Sequence, residues 1–337
     1  MKRLVRSVVW VVACGVVSAP SRVLALDGSL REHVKERIAE RRTGAGQNEV
    51  GAVAIAPGDH VFTLQHAGVE RKFRLHVPAG YDAARPVPLL VALHGGGGNM
   101  DYQANDKFYG LISTSEREGV VVAFPNGYSR FRGGKVATWN AGRCCGDARD
   151  GNSDDVGFIR KMVEDIRRRV NVDSARIYAT GMSNGGLMSY RLACEMADVF
   201  SAIAPVAGTD NTITCSPVRP VSVLHIHARD DDHVLFEGGA GPASVERSKV
   251  TDFTSVGDTV AKWVQLNGCR PEAERLLETG GAYCDVYRQC RGGAQVQLCV
   301  TADGGHSWPG GSKPRIGAAP SRAILANDVM WDFFTRR

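Results

Sequence analysis

The residues best suited to chemistry in this chain form a G-M-S-N-G pentapeptide at 181–185. A strand-like run at 176–180 precedes it, and a helix-like run at 187–196 follows it. A serine on a tight strand-to-helix turn exposes its hydroxyl to a substrate carbonyl, and glycines on both sides avoid collisions with the strand and the helix. The pattern therefore predicts that Ser183 is a nucleophile for acyl transfer.

A glycine-rich segment upstream, H-G-G-G-G-N at 94–99, follows an apolar run of buried-strand type. Glycines let the backbone approach a substrate and direct N–H groups at the oxygen that becomes negative during acyl transfer. We predict Gly96 as the first donor of this oxyanion hole, with Gly95 and Gly97 as neighbouring candidates, and the backbone amide of Asn184 as the second donor. A flexible glycine turn without this role is the alternative interpretation.

Candidates for the acid and the base come later in the chain. Another strand-like run, at 221–227, is followed by three adjacent aspartates at 230–232. One ionised carboxylate is enough to orient a catalytic imidazole, so the other two are expected to be solvated turn residues or a partner of Arg229. His306 is the only histidine after His233 and lies in a glycine-flanked loop. Serine, acid and histidine thus follow one another in the order that an α/β-hydrolase requires, which predicts His306 as the general base.

Several motifs together resemble those of a known family. They are the segments at 93–99, 138–146, 154–159, 181–186 and 305–310. In these segments the chain resembles the polyhydroxybutyrate-depolymerase-like and the feruloyl or acetylxylan esterases of the α/β-hydrolase superfamily. The resemblance covers about residues 58–337.

The resemblance implies Ser183 as nucleophile, His306 as base and Asp231 as acid. The family usually has His-Gly-Thr-Ala-Asp before its acid, whereas this chain retains only the first and last of these residues, His227 and Asp231. The aspartates on either side of Asp231 therefore stay open as alternatives, at 230 and 232.

The resemblance also implies the activity, which is that of a serine carboxylic-ester hydrolase acting through an acyl-enzyme, with no metal and no organic cofactor. Depolymerases of solid polyester usually carry a separate polymer-binding domain, and the sequence shows none up to Arg337. We therefore expect soluble or short-chain esters, or acyl groups on polysaccharide, as substrates. An acyltransferase and a non-catalytic binding protein on the same scaffold are the alternatives.

Two tryptophans are candidates for lining the acyl or sugar subsite. Trp308 stands two residues past the predicted base, and Trp139 lies in the cysteine-rich segment. Large aromatic side chains fill core positions equally well, so packing inside the protein is the alternative for both.

The N-terminal residues predict export. Basic residues precede a mostly apolar stretch at 7–19 that is too short to span a membrane. We predict a signal peptide at 1–25, a charged helix with a Gly/Ala-rich linker at 26–57, and a catalytic domain at 58–337, in a secreted or periplasmic protein. The V-V-A-C pattern ending at Cys14 leaves a lipid anchor as the alternative.

The charge of the chain excludes one class of partner. Removing the predicted signal peptide subtracts four basic residues from a net charge of +5 and leaves about +1. A nearly neutral chain offers no case for nucleic-acid binding, so an ester substrate is the expected partner. The oligomeric state is not predicted.

The cysteines predict disulfides. Outside the predicted signal peptide eight remain, an even number, as is typical of an exported protein. Cys284 and Cys299 lie symmetrically about a predicted turn at 291–293 and are expected to bridge a hairpin, with Cys269 and Cys290 as the neighbouring pair. The sequence leaves open the partners of Cys144, Cys145, Cys194 and Cys215. A zinc site at the first two is disfavoured, because adjacent cysteines lack the usual gap.

Strand-like and helix-like runs alternate along the rest of the chain. The predicted strands are Val61–Gln65, Lys72–Val77, Leu89–Leu93, Val120–Phe124, Ile177–Thr180, Ala202–Val206, Val221–Ile226 and Val296–Val300. This alternation predicts an α/β-hydrolase fold with a doubly wound, mostly parallel, eight-stranded sheet and the site at its carboxyl edge.

Overall fold

The computed structural model describes residues 55–244, 246–313 and 319–336. The predicted signal peptide, the charged helix and most of the linker lie outside these residues. The strands are β1 (Gly58–His66), β2 (Val69–Val77), β3 (Val87–Leu93), β4 (Val121–Pro125), β5 (Val172–Met182), β6 (Ala202–Val206), β7 (Ser222–Ala228), β8 (Glu274–Thr279), β9 (Ala282–Tyr287) and β10 (Val296–Thr301).

Helices connect most of these strands. They are α1 (Met100–Gln103), α2 (Asp106–Tyr109), α3 (Leu111–Glu118), α4 (Gly146–Asp150), α5 (Asp155–Arg169), α6 (Asn184–Glu195), α7 (Val256–Asn267) and α8 (Ala326–Thr335). Short 3₁₀ turns occupy Arg247–Lys249 and Arg291–Gly293. The longest of these helices, α5, has Asp154 as its N-cap, and the Asp154 carboxylate accepts the N–H of Gly157 at 3.0 Å.

All of the described strands form one sheet in the order β1-β2-β4-β3-β5-β6-β7-β10-β9-β8. The strands from β4 to β10 in this order run parallel, and antiparallel pairs flank them on both sides. The central strands β4, β6 and β7 are buried along their whole length, because helices cover both faces of the sheet. The predicted doubly wound α/β class is confirmed.

The predicted number of strands was too low, since the sheet has ten strands in the described residues rather than eight. The two additional strands are β8 and β9 at one edge. The side chains of β8 are largely exposed and include three charged residues, so its sequence lacks the apolar pattern of the central strands. Edge strands often carry such charges, which prevent pairing with other chains.

The sheet separates two hydrophobic cores. Along β3, Leu89, Val91 and Leu93 face one core, whereas Leu90 and Ala92 face the other. Helices α5, α6 and α7 cover the first core, and α3 and α8 cover the second. Packing on both faces fixes the carboxyl ends of the central strands, from which the loops of the site extend.

The disulfides follow the predicted pairing where the sequence gave one. Cys284 is bonded to Cys299, opposite it in the β9–β10 register, and Cys269 is bonded to Cys290. The two pairs left open are Cys194–Cys215 and Cys144–Cys145, so the adjacent cysteines form a disulfide rather than ligate zinc. Four disulfides are typical of an extracellular protein. In the part of the chain that the structure describes, no helix has the length and apolarity needed to cross a bilayer.

Candidate active site

Ser183 lies on the turn between β5 and α6 in a conformation that non-glycine residues rarely adopt. Its φ of 56° and ψ of −124° place it outside the helical and extended regions. The backbone N–H of Ser183 donates to the carbonyl of Val206 at 2.9 Å, which ties the turn to the neighbouring strand β6. The turn is sharp and half-buried, as a serine nucleophile requires.

The glycines beside Ser183 are imposed by close backbone contacts. A Cβ atom on Gly181 would lie 2.6 Å from the carbonyl carbon of Gly185. A Cβ on Gly185 would lie 2.3 Å from the carbonyl oxygen of Leu93 and 2.7 Å from that of His94. Both distances are shorter than non-bonded atoms tolerate, so the turn can approach the end of β3 only with glycine at these positions.

The glycine-rich segment after β3 lies against the serine turn. A Cβ on Gly96 would stand 3.6 Å from Cβ of Asn184. Gly97 donates its N–H to Ala137, and Gly98 donates to Gly95, whereas no acceptor among the described residues takes the N–H of Gly96. Of the candidate glycines, Gly97 therefore already donates its N–H within the loop, whereas Gly96 and Gly95 have no acceptor among the described residues.

Asn184, the other predicted donor, has a side chain that is hydrogen-bonded at both its oxygen and its nitrogen. Its Oδ1 accepts the N–H of Trp139 at 2.7 Å, and its Nδ2 donates to the carbonyl of Trp139 at 3.0 Å. This reciprocal pair fixes the first residue of α6. The backbone N–H of Asn184 then lies at the start of α6, where helix amides have no intrahelical acceptor.

His94 fastens the glycine loop from inside the protein. The Gly127 N–H donates to its Nε2 at 2.9 Å, so Nε2 carries no hydrogen, and Nδ1–H donates to Gly95 O at 2.8 Å. The ring has no exposed surface. Burial lowers the pKa of His94 to about 4, with the nearby Arg71 cation acting in the same direction. The imidazole is therefore neutral at ordinary pH.

The two predicted subsite tryptophans lie in the interior instead. Trp139 has no exposed surface; its indole N–H donates to His94 O at 2.9 Å. Trp308 is 3% exposed and donates to Asn327 Oδ1 at 2.9 Å, with an edge-to-face contact to Tyr109. In the described structure both indoles pack inside the protein, which is the alternative that the sequence left open. Both indoles find buried hydrogen-bond acceptors, which makes the core the favourable place for them.

Asp231 and His306 are brought together in the loops after β7 and β10. His306 Nδ1 lies 2.8 Å from Oδ2 and 3.1 Å from Oδ1 of Asp231. The Asp231 carboxylate also accepts the N–H groups of His233 and Val234, at 2.8 and 2.9 Å. Burial opposes its ionisation, but attraction to His306 and hydrogen bonds from His227 and His306 outweigh burial and hold the pKa of Asp231 well below its usual range.

The other two aspartates have different partners. Asp230 Oδ1 accepts the N–H of Gly305 at 2.8 Å, one residue before His306. Asp232 is exposed and lies 2.6 Å from Nδ1 of His233. Of the two expected alternatives, the exposed turn position fits Asp232, whereas Arg229 extends to Glu237 and to the hydroxyl of Tyr283 instead of to either aspartate.

His233 is a site residue that sequence reasoning missed. Its ring stacks on that of His306, with centroids 4.5 Å apart and planes inclined by 16°. Burial and the nearby His306 lower the pKa of His233, which favours the neutral form. Only its position directly after the three aspartates could have indicated this contact.

Two groups of side chains in the described residues have a spacing that could hold a metal. One is Cys194, Asp210 and Cys215, but its two sulfurs are joined to each other. The other is Asp231, His233 and His306, where Nδ1 of His306 is already hydrogen-bonded to the carboxylate. The second group therefore has the arrangement of an acid–base pair.

The predicted nucleophile, acid and base share one edge of the sheet. They follow the carboxyl ends of the parallel strands β5, β7 and β10, with only β6 between the first two. Among the described residues, the Ser183 hydroxyl makes no hydrogen bond to His306. In enzymes without bound substrate, catalytic hydrogen bonds are often long and tighten only when substrate binds.

A comparison with models of protein families shows which family the chain belongs to. The model for the family described as Esterase PHB depolymerase matches residues 71–246, more than half of the chain. The chain belongs to this family. The resemblance that its motifs predicted is confirmed. Individual proteins that are similar to this esterase are described next.

Two curated relatives are feruloyl esterases. Feruloyl esterase B of Piromyces equi is 32% identical over 243 residues, which are 70% of this chain but only 42% of that protein. Feruloyl esterase C of Emericella nidulans is 29% identical over 270 residues, 78% of this chain and 83% of that protein. These relationships make the esterase a carboxylic ester hydrolase by class.

A solved structure has the same fold. The acetyl xylan esterase of Aspergillus awamori superposes with a TM-score of 0.55, covering 82% of this chain and 98% of that chain, at 13% identity. At this identity the likeness concerns the fold alone. The predicted α/β-hydrolase architecture is confirmed.

Proposed function

We propose that this esterase is an exported serine hydrolase in which Ser183 attacks the ester, His306 transfers protons and Asp231 holds the imidazole. One observation carries the proposal: the buried hydrogen bond between Asp231 and His306, at the sheet edge from which the strained Ser183 turn extends. A carboxylate that accepts Nδ1–H leaves Nε2 unprotonated, and an unprotonated Nε2 is what a general base needs.

The proposed reaction has two halves. His306 Nε2 takes the hydroxyl proton of Ser183 while Oγ bonds to the ester carbonyl carbon, and the N–H groups of Gly96 and Asn184 stabilise the negative oxygen. The intermediate collapses, the alcohol leaves with the proton from His306, and an acyl-enzyme remains. Water then adds to the acyl carbon with the same base, and the acid departs as Ser183 regains its proton.

We further propose that soluble or short-chain esters, or acyl groups on polysaccharide, are preferred to solid polyester. The support is that the two relatives described above are named feruloyl esterases. The pair of buried tryptophans gives no additional support, because neither indole presents a surface to substrate.

The test compares hydrolysis of p-nitrophenyl acetate, methyl ferulate, acetylated xylan and a soluble 3-hydroxybutyrate oligomer by the purified protein. Ser183→Ala is expected to lower kcat by about 10⁴-fold or more. Ser113→Ala, which removes a hydroxyl from an exposed position on α3, is the matched control and should retain full activity. Equal activity of wild type and Ser183→Ala would overturn the proposed nucleophile. Diversion of the acyl group to an added alcohol in place of water would favour an acyltransferase.

We also propose that export removes residues 1–25 and leaves a charged helix with a Gly/Ala-rich linker at 26–57, followed by a catalytic domain at 58–337. Mass spectrometry of the exported protein is expected to give an N-terminus at Leu26. A lipid-modified N-terminus at Cys14 would instead establish a membrane-anchored form.

A further inference from the structure

A chain of buried polar side chains reaches the Asp231 loop from inside the protein, and the proposed reaction steps leave it unused. It begins on α6 with Tyr190, whose hydroxyl lies 2.7 Å from Nδ1 of His225. His225 Nε2 lies 3.1 Å from Nδ1 of His227, its neighbour on the same face of β7. All three side chains are at most 1% exposed, and the two imidazoles stack with an interplanar angle of 13°.

The contact of His227, the last member of this series of side chains, determines which nitrogen of each histidine carries a hydrogen. His227 Nε2 lies 2.8 Å from the carbonyl of Val234, which can only accept, so Nε2 carries a hydrogen. A neutral His227 then has a bare Nδ1, which accepts Nε2–H of His225. His225 in turn has a bare Nδ1, which accepts the hydroxyl proton of Tyr190. One set of neutral tautomers thus satisfies every contact in the chain.

Two contacts connect His227 to the Asp231 carboxylate. His227 Nε2 lies 3.3 Å from Oδ2 of Asp231, the oxygen nearest to His306. The same Nε2–H holds the carbonyl of Val234, and the Val234 N–H donates to the other carboxylate oxygen at 2.9 Å. His227 therefore restrains the carboxylate both directly and through the turn that carries it.

The surroundings keep His225 and Tyr190 uncharged. Burial, with the neighbouring His227 adding to it, lowers the pKa of His225 well below its ordinary value. Burial also raises the pKa of Tyr190, with the Asp210 carboxylate acting in the same direction. Asp210 is itself paired with Lys262 at 2.8 Å. Uncharged Tyr190 and His225 place no cation behind His227 that would compete with His306 for the carboxylate of Asp231.

We propose that His227 is a positioning residue for Asp231, and that Tyr190 and His225 hold it in the tautomer that donates towards this carboxylate. The inference rests on the proposed function, since it assigns Asp231 its role beside His306. Apolar side chains could fill the same volume in the core. A buried polar chain costs desolvation that they would avoid, so the chain is expected to contribute direction rather than stability alone.

The test uses the full-length protein and two substitutions of His227. His227→Leu fills the site without a donor, and His227→Gln restores an amide N–H near the place of Nε2. We expect His227→Leu to lower kcat about tenfold at unchanged KM, and His227→Gln to recover most of this loss. The Nδ1–H proton resonance of His306 should move upfield in His227→Leu and return towards its wild-type position in His227→Gln.

Tyr190→Phe keeps the experiment decisive if His227→Leu does not fold. It removes only the distant hydroxyl, and we expect kcat to fall about threefold with a smaller upfield shift of the same resonance. Tyr178→Phe is the matched control, because it removes another buried hydroxyl, one that donates to Phe334 O on the other side of the sheet. This control should leave kcat and the resonance unchanged.

The outcomes separate this inference from the proposed function. If the wild type hydrolyses no ester, or Ser183→Ala is as active as wild type, the proposed function fails. If the wild type is active and dependent on Ser183, but His227→Leu and His227→Gln lose equal activity, or the His306 resonance stays in place in Tyr190→Phe and in both His227 variants, the positioning role is overturned.

Discussion

The two halves of the candidate site are held in place by different forces. The nucleophile half, Ser183 with the glycine loop, is positioned by backbone atoms in close contact, where a single Cβ on Gly185 would meet a carbonyl oxygen at 2.3 Å. The acid–base half, Asp231 with His306, is positioned by buried hydrogen bonds between ionisable groups. The first half should therefore be sensitive to side-chain volume, and the second to the donors, acceptors and charges that surround it.

The difference also determines how each half responds to substitution. Overlap with backbone atoms cannot be relieved by rotating a side chain. A substitution that adds volume in the nucleophile half therefore affects folding as well as activity. A lost donor or charge in the second half leaves the volume nearly unchanged, so activity falls while the fold persists. The following substitutions test this distinction.

The largest effect is expected from Gly185→Ala. The added methyl group would overlap the carbonyl oxygens of Leu93 and His94, and both belong to the end of a central strand and its loop. We expect a loss of at least about 3 kcal/mol in the free energy of unfolding, or no soluble protein, together with loss of activity. Gly80→Ala is the control, because a Cβ there meets nothing within 4 Å. A folded, active Gly185→Ala protein would refute the steric account.

Asp231→Asn should leave the fold intact and remove most of the activity. The substitution preserves volume but takes away the charge that stabilises the imidazolium and the acceptor that fixes its tautomer. We expect kcat to fall by about 10⁴-fold, with a loss of stability that is smaller than the loss expected for Gly185→Ala. Asp232→Asn, one residue away and exposed, is expected to stay within about threefold of wild type. Comparable losses in the two variants would mean that the acid is wrongly assigned.

His94 is an exception to this contrast, because it is a buried ionisable group that helps to position the nucleophile half. Its pKa is about 4 in the folded protein and about 6.5 when unfolded, so the unfolded chain binds more protons between these values. Its contribution to stability is therefore complete above pH 6.5 and is lost as the pH falls towards 4, by about 3 kcal/mol at most.

Denaturant unfolding of wild type and His94→Gln at pH 7 and pH 4.5 measures this contribution. The wild type should lose more stability on acidification than the variant does. His60→Gln, at a partly buried histidine on β1, should follow the wild type. Parallel pH dependence in wild type and His94→Gln would show that the buried imidazole does not couple to folding.

The smallest effect is expected from Asp230→Asn. The amide oxygen can still accept the N–H of Gly305, so the loop before His306 should keep its position. We expect kcat within about threefold of wild type, and a larger decrease for Asp230→Ala, which removes the acceptor. Steady-state kinetics at one pH suffices. Equal activities for these two variants would show that this hydrogen bond does not position His306.

The sequence predicted the nucleophile half better than the acid–base half, for a physical reason. Glycine is required wherever backbones meet closely, so the contacts around Ser183 leave a visible pattern in the sequence. Three adjacent aspartates differ only in the direction of their side chains, which depends on the turn after β7. The stacking of His233 on His306 likewise depends on how two distant loops meet.

Other features could not be obtained from local pattern either. The central strands were predicted because both of their faces are buried, whereas β8 is exposed and charged. The burial of the two indoles depends on acceptors far along the chain, such as Asn327 for Trp308. The pairing of Cys284 with Cys299 was accessible because the two stand opposite each other in a local hairpin.

Trp139 gives the glycine loop an optical reporter. Its indole centroid lies 4.9 Å from that of His94, and its N–H is bonded to the His94 carbonyl, so the fluorophore is in contact with the group that fastens the loop. A protonated imidazole quenches indole emission far more strongly than a neutral one. The sequence has five tryptophans, so the difference in emission between the wild type and a Trp139→Phe variant should report, without any added dye, whether His94 still holds the loop.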